Sequence, residues 1–384
     1  MSRTVEADTG APARRVALEV LARVEDDGAY SNLVLSPMLD RSGLDATDRG
    51  FVTDLVYGTL RRQRSVDHLV DRFLTTAPPP AARRALRLGA YQLAFRDDIP
   101  SYAAVSATVD AAPKRFRGLV NAVLRKVATA PVQYPDEATE LSYPDWVVEL
   151  LGADLGPKVT EAALRAMNEP ATPTTRDDGY VQDLGSQLVA ELVAAGPTDV
   201  VVDLCAAPGG KATAVAHSGA LVVAADLQPH RAGLICRNVE RLGLDGVQVV
   251  VADATHPPVR QRAADRVLLD APCSGLGVLR RRPDARWRLD AGVVERLAAL
   301  QRSMIDAAVP LVRPGGLLVY SVCTLSRAES IGVDEHVAAV HPGLVALPPP
   351  GEPWEPWGRG ALLLPQRLGT DGMFIARYRV PAPE

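Results

Sequence analysis

The sequence predicts an α/β protein in two parts, an all-helical amino-terminal domain followed by a domain with a doubly wound, mostly parallel sheet. Apolar residues recur every three or four positions from Arg14 to about Lys126, which is typical of amphipathic helices. From Val181 onward, short apolar runs alternate with amphipathic stretches, which is typical of βαβ units whose sheet is buried on both faces. The chain has 384 residues, 47% of them apolar, and this is enough for about two or three packed cores.

The domain boundaries follow from these patterns. Residues 13–130 are predicted to be the helical domain, because RRVALEVLARVE, DRGFVTDLVYGTLRRQRSVDHLVDRFL and RRALRLGAYQLAFR all show helical spacing. Residues 1–12 contain no apolar run and are predicted to be a disordered tail. Residues 131–180 are acidic and marked by prolines, so we expect a connector with short helices. Residues 181–384 form the predicted α/β domain.

Composition excludes several classes of protein. No segment approaches the roughly 18 uncharged apolar residues of a membrane helix, so we expect a cytoplasmic protein without a membrane partner. The four cysteines are far apart and have no histidines at ligand spacing, so neither a metal site nor a disulfide framework is expected. The net charge of -4 conceals a basic block at 61–130 and an acidic block at 131–180. We expect a monomer.

A second basic cluster, LRRRPDARWR, lies in the α/β domain. Guanidinium groups beside an indole suit both phosphate contact and base stacking. The alternative is an ordinary solvated loop rich in arginine. The residues of this cluster that we predict to bind nucleic acid are Arg280, Arg281, Arg282, Arg286, Trp287 and Arg288.

A candidate cofactor site follows the first predicted strand, which ends at Asp203. Small residues at a strand-to-helix turn let a ligand approach the backbone closely. The next two strands lead to Asp226 and Asp253, where a carboxylate could accept hydrogen bonds from a ribose and from an adenine amine. DLCAAPGGK matches neither the dinucleotide nor the triphosphate motif, which favours S-adenosylmethionine. The turn itself consists of Cys205, Ala206, Ala207, Pro208, Gly209, Gly210 and Lys211.

Two cysteines are expected to face the same cleft. Asp270 and Cys273 follow the fourth strand and Cys323 follows the fifth. Addition of a thiolate to carbon 6 of a cytosine makes carbon 5 nucleophilic, and a second thiol or a water could then remove the carbon 5 proton. Asp270 beside ring nitrogen 3 would stabilise the charge that develops. The residues alone do not tell which cysteine is the nucleophile, and two buried structural cysteines are the alternative.

Several motifs carry a resemblance to known families. DLCAAPGGK, LLDAPCSGLGVLRRRPDARW, LVYSVCT and LGTDGMFIARY resemble the successive motifs of the NOL/NOP/Sun family of RNA cytosine-5 methyltransferases. LDATDRGFVTDLVYGTLRR, LRLGAYQLAF and LVNAVLRKV resemble the RNA-binding domain of the antitermination factor NusB. The resemblance covers nearly the whole chain. It implies a class I S-adenosylmethionine methyltransferase fold behind a NusB-like domain, and methylation of a cytosine in 16S ribosomal RNA.

The resemblance also implies roles for individual residues. Cys323 would be the nucleophile, Cys273 would assist product release, and Asp270 would lie at the reactive centre. The residues from Cys205 to Lys211 would contact the methionine part of the cofactor, while Asp226 would bind the ribose and Asp253 the adenine.

Three features depart from the family pattern. Val322 replaces the usual threonine before Cys323, and Ser330 replaces the usual asparagine after Glu329. Only residues 171–180 separate Asn168-Glu169-Pro170 from Val181-Gln182-Asp183, where relatives have a longer segment, and we expect this to affect RNA docking more than chemistry. Three alternatives stay open: the same chemistry on transfer RNA or another RNA, a catalytically lapsed RNA-binding or ribosome-assembly protein, and a nicotinamide oxidoreductase.

Overall fold

The computed structural model describes residues 10–382 and forms two compact units. The helical unit contains the residues up to Val148 together with Leu279–Arg288, and the sheet unit contains Glu149–Val278 and the residues from Leu289 onward. The predicted tail, 1–12, lies outside the described residues up to position 9. The first helix begins at Ala11, within the range predicted to be the tail.

The helical unit is built from amphipathic helices, as predicted. Its core contains fully buried leucines from several helices, among them Leu21, Leu55, Leu86 and Leu124. Gly89 lets two helices approach closely, because a Cβ atom there would lie 2.3 Å from a Leu124 methyl group. The helices are α1 (Ala11–Asp26), α2 (Ser31–Arg41), α3 (Ala46–Arg61), α4 (Gln63–Asp71), α5 (Pro80–Phe95), α6 (Ser101–Ala111), α7 (Arg117–Thr129), α8 (Glu137–Leu141) and α9 (Asp145–Leu155), the last of which continues into the other unit.

The sheet unit confirms the predicted doubly wound, mostly parallel sheet. The strands are β1 (Val200–Asp203), β2 (Leu221–Asp226), β3 (Val247–Val251), β4 (Ala264–Asp270), β5 (Val312–Val322), β6 (Val345–Ala346), β7 (Glu355–Trp357), β8 (Gly360–Leu363) and β9 (Met373–Arg379). Their order in the sheet is β3-β2-β1-β4-β5-β9-β8-β7, with β6 paired to β9. Strands β1 to β5 pair in parallel, and β9 pairs antiparallel to β5.

The central strand β5 is buried on both faces. The consecutive residues Leu317 to Val322 of β5 are all buried, which explains why the central strands read as continuous apolar runs rather than as alternating patterns. The helices are α10 (Pro157–Ala166), α11 (Leu184–Glu191), α12 (Gly210–Ala216), α13 (Pro229–Leu242), α14 (Val293–Ala308), α15 (Ile331–Val340) and α16 (Pro365–Leu368).

The predicted connector, 131–180, is not a separate element, because the boundary between the units falls after Val148. Its short final part, 171–180, forms a closed turn in which the Arg176 backbone N–H donates to the Tyr180 carbonyl at 2.9 Å. The Arg176 guanidinium also donates to the Gly210 carbonyl at 2.6 Å and to Thr213 at 3.2 Å. The shortened segment therefore supports the start of α12.

Candidate active site

The turn between β1 and α12 brings backbone and small side chains to the carboxyl edge of the sheet. Gly209 has a positive φ of 106°, a backbone conformation that residues with a side chain rarely adopt. Its N–H donates to the Ala206 carbonyl at 2.7 Å and closes the turn. The predicted cofactor turn is thus a narrow, glycine-dependent loop directly after Asp203.

Asp203 is a buried carboxylate at the end of β1, with 1% of its surface exposed. One oxygen accepts a hydrogen bond from the Cys205 N–H at 3.3 Å. The other oxygen is buried and has no hydrogen-bond partner among the described residues. Burial and the negative charge of Asp270 raise the pKa of Asp203 to about 7. A cationic or hydrogen-bond-donating ligand would satisfy this oxygen, so the site fits a positively charged cofactor such as S-adenosylmethionine.

The other two predicted cofactor aspartates differ in exposure. Asp226 ends β2, is 3% exposed, accepts from the Gln228 N–H at 3.1 Å, and lies 3.5 Å from the Arg231 guanidinium. Asp253 follows β3 and is exposed, and it accepts from the Thr255 N–H and hydroxyl, both at 2.8 Å. These bonds hold the pKa of Asp253 below its usual value. Both carboxylates lie at the carboxyl edge of the parallel part of the sheet.

The predicted catalytic residues come together at the ends of β4 and β5. The Cys273 and Cys323 sulfurs lie 3.2 Å apart, which is within hydrogen-bond distance for two thiols. The Lys211 ammonium donates to Asp270 at 2.7 Å and is nearly buried. The side chains that the sequence placed in one cleft are therefore neighbours.

Charge is distributed unevenly around the thiols of Cys273, Cys323 and Cys205. The hydrogen bond to Cys323, burial, and the charges of Cys323 and Glu329 raise the pKa of Cys273 well above its usual value. Burial lowers the pKa of Lys211, but the Asp270 carboxylate opposes burial and leaves the pKa raised, with a further contribution from Cys323. Burial and the negative charge of Asp203 raise the pKa of Cys205, so this thiol stays protonated. A lysine cation thus lies near Cys323, whereas an anion lies near Cys273.

The arginine cluster predicted to bind RNA belongs to the helical unit, and part of it forms the interior of that unit. Arg286 is fully buried, stacks on the Tyr143 ring at 3.9 Å, and donates to the Arg61 carbonyl at 3.0 Å. The Trp287 indole donates to the Leu60 carbonyl at 2.8 Å. A guanidinium in this position has no surface to offer RNA, which corrects the prediction for Arg286.

The remaining members of the cluster have mixed environments. Arg280 is buried, and Arg288 donates to the Gly28 carbonyl at 2.8 Å and pairs with Asp284 at 3.4 Å. Arg282 is exposed and Arg281 is half-buried. RNA contact by Arg281, Arg282 and Arg288 stays a prediction.

Sequence reasoning gave no role to a buried polar cluster beside the cysteines. Glu329 has none of its surface exposed and accepts hydrogen bonds from Ser274, Thr324 and Ser326. A glutamate seven residues beyond the end of β5 looks like any surface residue in sequence. The only available signal was its position just after the second cysteine motif.

Two further findings concern the described residues as a whole. No group of three or more His, Cys, Asp or Glu side chains among residues 10–382 is arranged to hold a metal ion. Within the same range, every helix is too short or too polar to cross a membrane.

Comparison with known proteins gives relatives along the full chain. A family model described as 16S rRNA methyltransferase RsmB/F matches residues 190–379, and the NusB family model matches residues 11–129. The ribosomal RNA small subunit methyltransferase B of Thermus thermophilus is 38% identical over 95% of this chain and 97% of that protein. The enzyme of the same name from Pseudomonas syringae is 31% identical over 95% of this chain and 96% of that protein. The crystal structure of PH0851 shares the fold, with a TM-score of 0.78, 22% identity, and coverage of 98% of this chain and 100% of that one.

The doubly wound sheet, the glycine-dependent turn and the acidic strand ends define an S-adenosylmethionine-dependent methyltransferase. Because the two relatives are more than 30% identical over nearly the whole chain, this protein belongs to the 16S rRNA methyltransferase RsmB/F family. The resemblance inferred from the motifs is confirmed, and the alternative of a nicotinamide oxidoreductase is wrong. Membership of this family establishes that the protein is an RNA methyltransferase.

Proposed function

We propose that this protein methylates carbon 5 of a cytosine in 16S ribosomal RNA, and that Cys323 forms a covalent bond to the base during the reaction. The observation that carries the proposal is the pair of thiols 3.2 Å apart beside the Lys211–Asp270 ion pair. Two thiols at this distance suit a reaction that needs one nucleophile and one proton acceptor on the same ring.

In the first step, the Cys323 thiolate adds to carbon 6 of the cytosine. A carbon–sulfur bond forms, the ring double bond between carbons 5 and 6 breaks, and carbon 5 becomes nucleophilic. The negative charge that spreads towards ring nitrogen 3 is stabilised by the ammonium of Lys211, which Asp270 holds in place at 2.7 Å. S-adenosylmethionine, when bound by the turn from Cys205 to Lys211 and by Asp203 and Asp226, supplies an electrophilic methyl group to carbon 5.

In the last step, the carbon 5 proton leaves and the thiolate is expelled. The Cys323 charge and hydrogen bond that keep the pKa of Cys273 high are lost once Cys323 is bonded to the base, so Cys273 then releases its own proton to water more readily. The Cys273 thiolate accepts the carbon 5 proton, the electrons of that bond restore the ring double bond, and the bond to Cys323 breaks. The products are 5-methylcytosine, S-adenosylhomocysteine, the Cys273 thiol and the free Cys323 thiolate.

The charges around the two thiols support Cys323 rather than Cys273 as the nucleophile. The cation of Lys211 interacts with Cys323, whereas the Glu329 carboxylate opposes ionisation of Cys273. A nucleophilic thiolate is favoured by a nearby cation and disfavoured by a nearby anion.

The target RNA is proposed from the relatives and from surface charge. The family description and the names of the two relatives support 16S ribosomal RNA. The helical unit adds an exposed basic surface around the start and end of α7, which consists of Lys114, Arg115, Arg125 and Lys126. Bisulfite sequencing of 16S ribosomal RNA and transfer RNA, from cells with and without this protein, would distinguish the two substrates.

Substitution of each cysteine tests the covalent mechanism. We expect Cys323→Ala to bind cofactor normally, to make no 5-methylcytosine and to form no adduct with RNA. We expect Cys273→Ala to stall after methyl transfer, so that enzyme and methylated RNA remain joined and migrate as a slow band on a denaturing gel. Cys236→Ala is the matched control, because this thiol is exposed on α13, and it should behave like the wild type.

Two results would contradict the assignment. An adduct with Cys323→Ala and none with Cys273→Ala would mean that Cys273 is the nucleophile. Full activity in both variants without an adduct would exclude covalent catalysis.

A further inference from the structure

A single buried carboxylate joins the two loops that carry the active-site cysteines. One oxygen of Glu329 accepts from the Ser274 N–H at 2.8 Å and from the Gln301 side-chain amide at 3.1 Å. The other oxygen accepts from the hydroxyls of Ser274 at 2.5 Å, Ser326 at 2.9 Å and Thr324 at 3.1 Å. Five hydrogen bonds therefore converge on one side chain.

The donors belong to the residues next to the cysteines. Ser274 follows Cys273, Thr324 follows Cys323, and their hydroxyls are also within 2.9 Å of each other. Gln301 lies on α14 and donates from the same amide to the Pro272 carbonyl at 2.9 Å, so it fixes the first loop from the other side. Glu329 thus connects the ends of β4 and β5 at the two points where their cysteines emerge.

Only a carboxylate suits this position. Its two oxygens accept all five hydrogen bonds, whereas a glutamine of the same shape would turn an NH₂ group towards donors. An apolar side chain of the same volume would leave these five donors buried without an acceptor, which is costly. The position therefore requires an acceptor that joins the two loops.

We propose that Glu329 is a positioning residue that holds the Cys273 and Cys323 sulfurs at the separation needed for catalysis; this role rests on the proposed two-cysteine mechanism. The hydrogen bonds of Glu329 go to the residues beside the cysteines. Glu329 therefore acts on the thiols through the backbone of Ser274 and the side chain of Thr324. Its negative charge also contributes to the raised pKa of Cys273, which keeps the proton on the thiol that is not the nucleophile.

The separation of the sulfurs can be measured without RNA. Diamide oxidises two nearby thiols to a disulfide, and each thiol gives up one proton and one electron to reduce diamide to a hydrazine. The rate of Cys273–Cys323 crosslinking is measured by peptide mapping. We divide it by the rate at which the same two thiols react with iodoacetamide, and the quotient is the crosslinking ratio. The ratio reports proximity, because altered ionisation changes both rates.

We expect Glu329→Gln to lower this ratio about 10-fold in the full chain, because the two loops lose their common anchor. Glu335→Gln is the matched control, since Glu335 lies on α15 with a largely exposed side chain, and its ratio should equal the wild-type value. Thr324→Val removes one donor without removing the charge and should lower the ratio less, which keeps the test valid if Glu329→Gln does not fold. An unchanged ratio in both variants would overturn the proposal.

Activity gives the second readout. Glu329→Gln should lower kcat roughly 100-fold, as small displacements of reacting groups do, with the KM for RNA and the affinity for S-adenosylmethionine unchanged. A lower ratio with full kcat would overturn the positioning role, as would an equal loss of cofactor affinity. If the wild type forms no 5-methylcytosine at all, the proposed function fails, while the crosslinking ratio still decides whether Glu329 sets the sulfur separation.

Discussion

Asp203 and Glu329 are two buried carboxylates in the same unit, yet their surroundings are opposite. Glu329 accepts five hydrogen bonds, whereas one oxygen of Asp203 is buried without a partner among the described residues. A buried carboxylate whose hydrogen bonds come from its own protein contributes to structure, whereas a buried oxygen without a partner is a candidate for contact with a ligand. The contrast supports the proposal that Glu329 orders the active site and that Asp203 contacts the cofactor.

The largest effect is expected for Asp203→Asn. The folded-state pKa of Asp203 is about 7, above the ordinary value of 3.8, so the wild type loses stability as the pH rises from about 4 to 7. The asparagine variant has no such loss. At pH 8 its free energy of unfolding without cofactor should exceed that of the wild type by roughly 4 kcal/mol, at about 1.4 kcal/mol for each pKa unit.

Thermal unfolding at pH 5 and pH 8 would test this. The stabilisation should shrink at the lower pH, and cofactor affinity should fall at both. Asp245→Asn, an exposed position in the same unit, should change neither quantity. Equal or lower stability of Asp203→Asn at pH 8 would mean that Asp203 is satisfied in solution and would end the contrast with Glu329.

A smaller effect is expected for Asp226→Ala. Loss of a buried acceptor for the ribose hydroxyls should weaken cofactor binding by about 1.5 to 3 kcal/mol, which is roughly 10- to 100-fold. Calorimetry with S-adenosylmethionine would measure it, with Asp245→Ala as the control. Unchanged affinity would remove Asp226 from the cofactor site.

The smallest effect is expected for Asp253→Ala, because this carboxylate is exposed and already accepts two hydrogen bonds from Thr255. Its substitution should weaken S-adenosylmethionine binding about fivefold or less. Titration in the same calorimeter would rank it against Asp226→Ala. A larger loss than for Asp226→Ala would show that exposure does not predict the contribution of an acidic strand end.

The strands of the sheet and the residues at their carboxyl ends could be predicted from the sequence. Both the spacing of apolar residues and the short motifs depend on neighbouring residues in the chain. Asp203, Asp226, Asp270 and Cys323 lie at the strand ends where the apolar runs stop. The pairing of Cys273 with Cys323 also followed, because carboxyl ends of neighbouring parallel strands meet at one edge.

The buried polar contacts could not be predicted in the same way. Arg286 looked like a surface arginine because nothing local distinguishes a guanidinium that stacks on Tyr143 from one that contacts phosphate. Glu329 likewise depends on donors from distant positions, and these come together only after the sheet has formed. Tertiary contacts decided both cases.

The segment Leu279–Arg288 makes the helical unit discontinuous, and this has a consequence for how the gene can be divided. A fragment that ends before Leu279 lacks Arg286, which stacks on Tyr143 inside the helical unit. It also lacks Trp287, which donates to the Leu60 carbonyl. No single cut in the coding sequence yields both units whole. Transfer of the helical unit to another protein therefore requires two separate segments of the gene, or the gene for the whole chain.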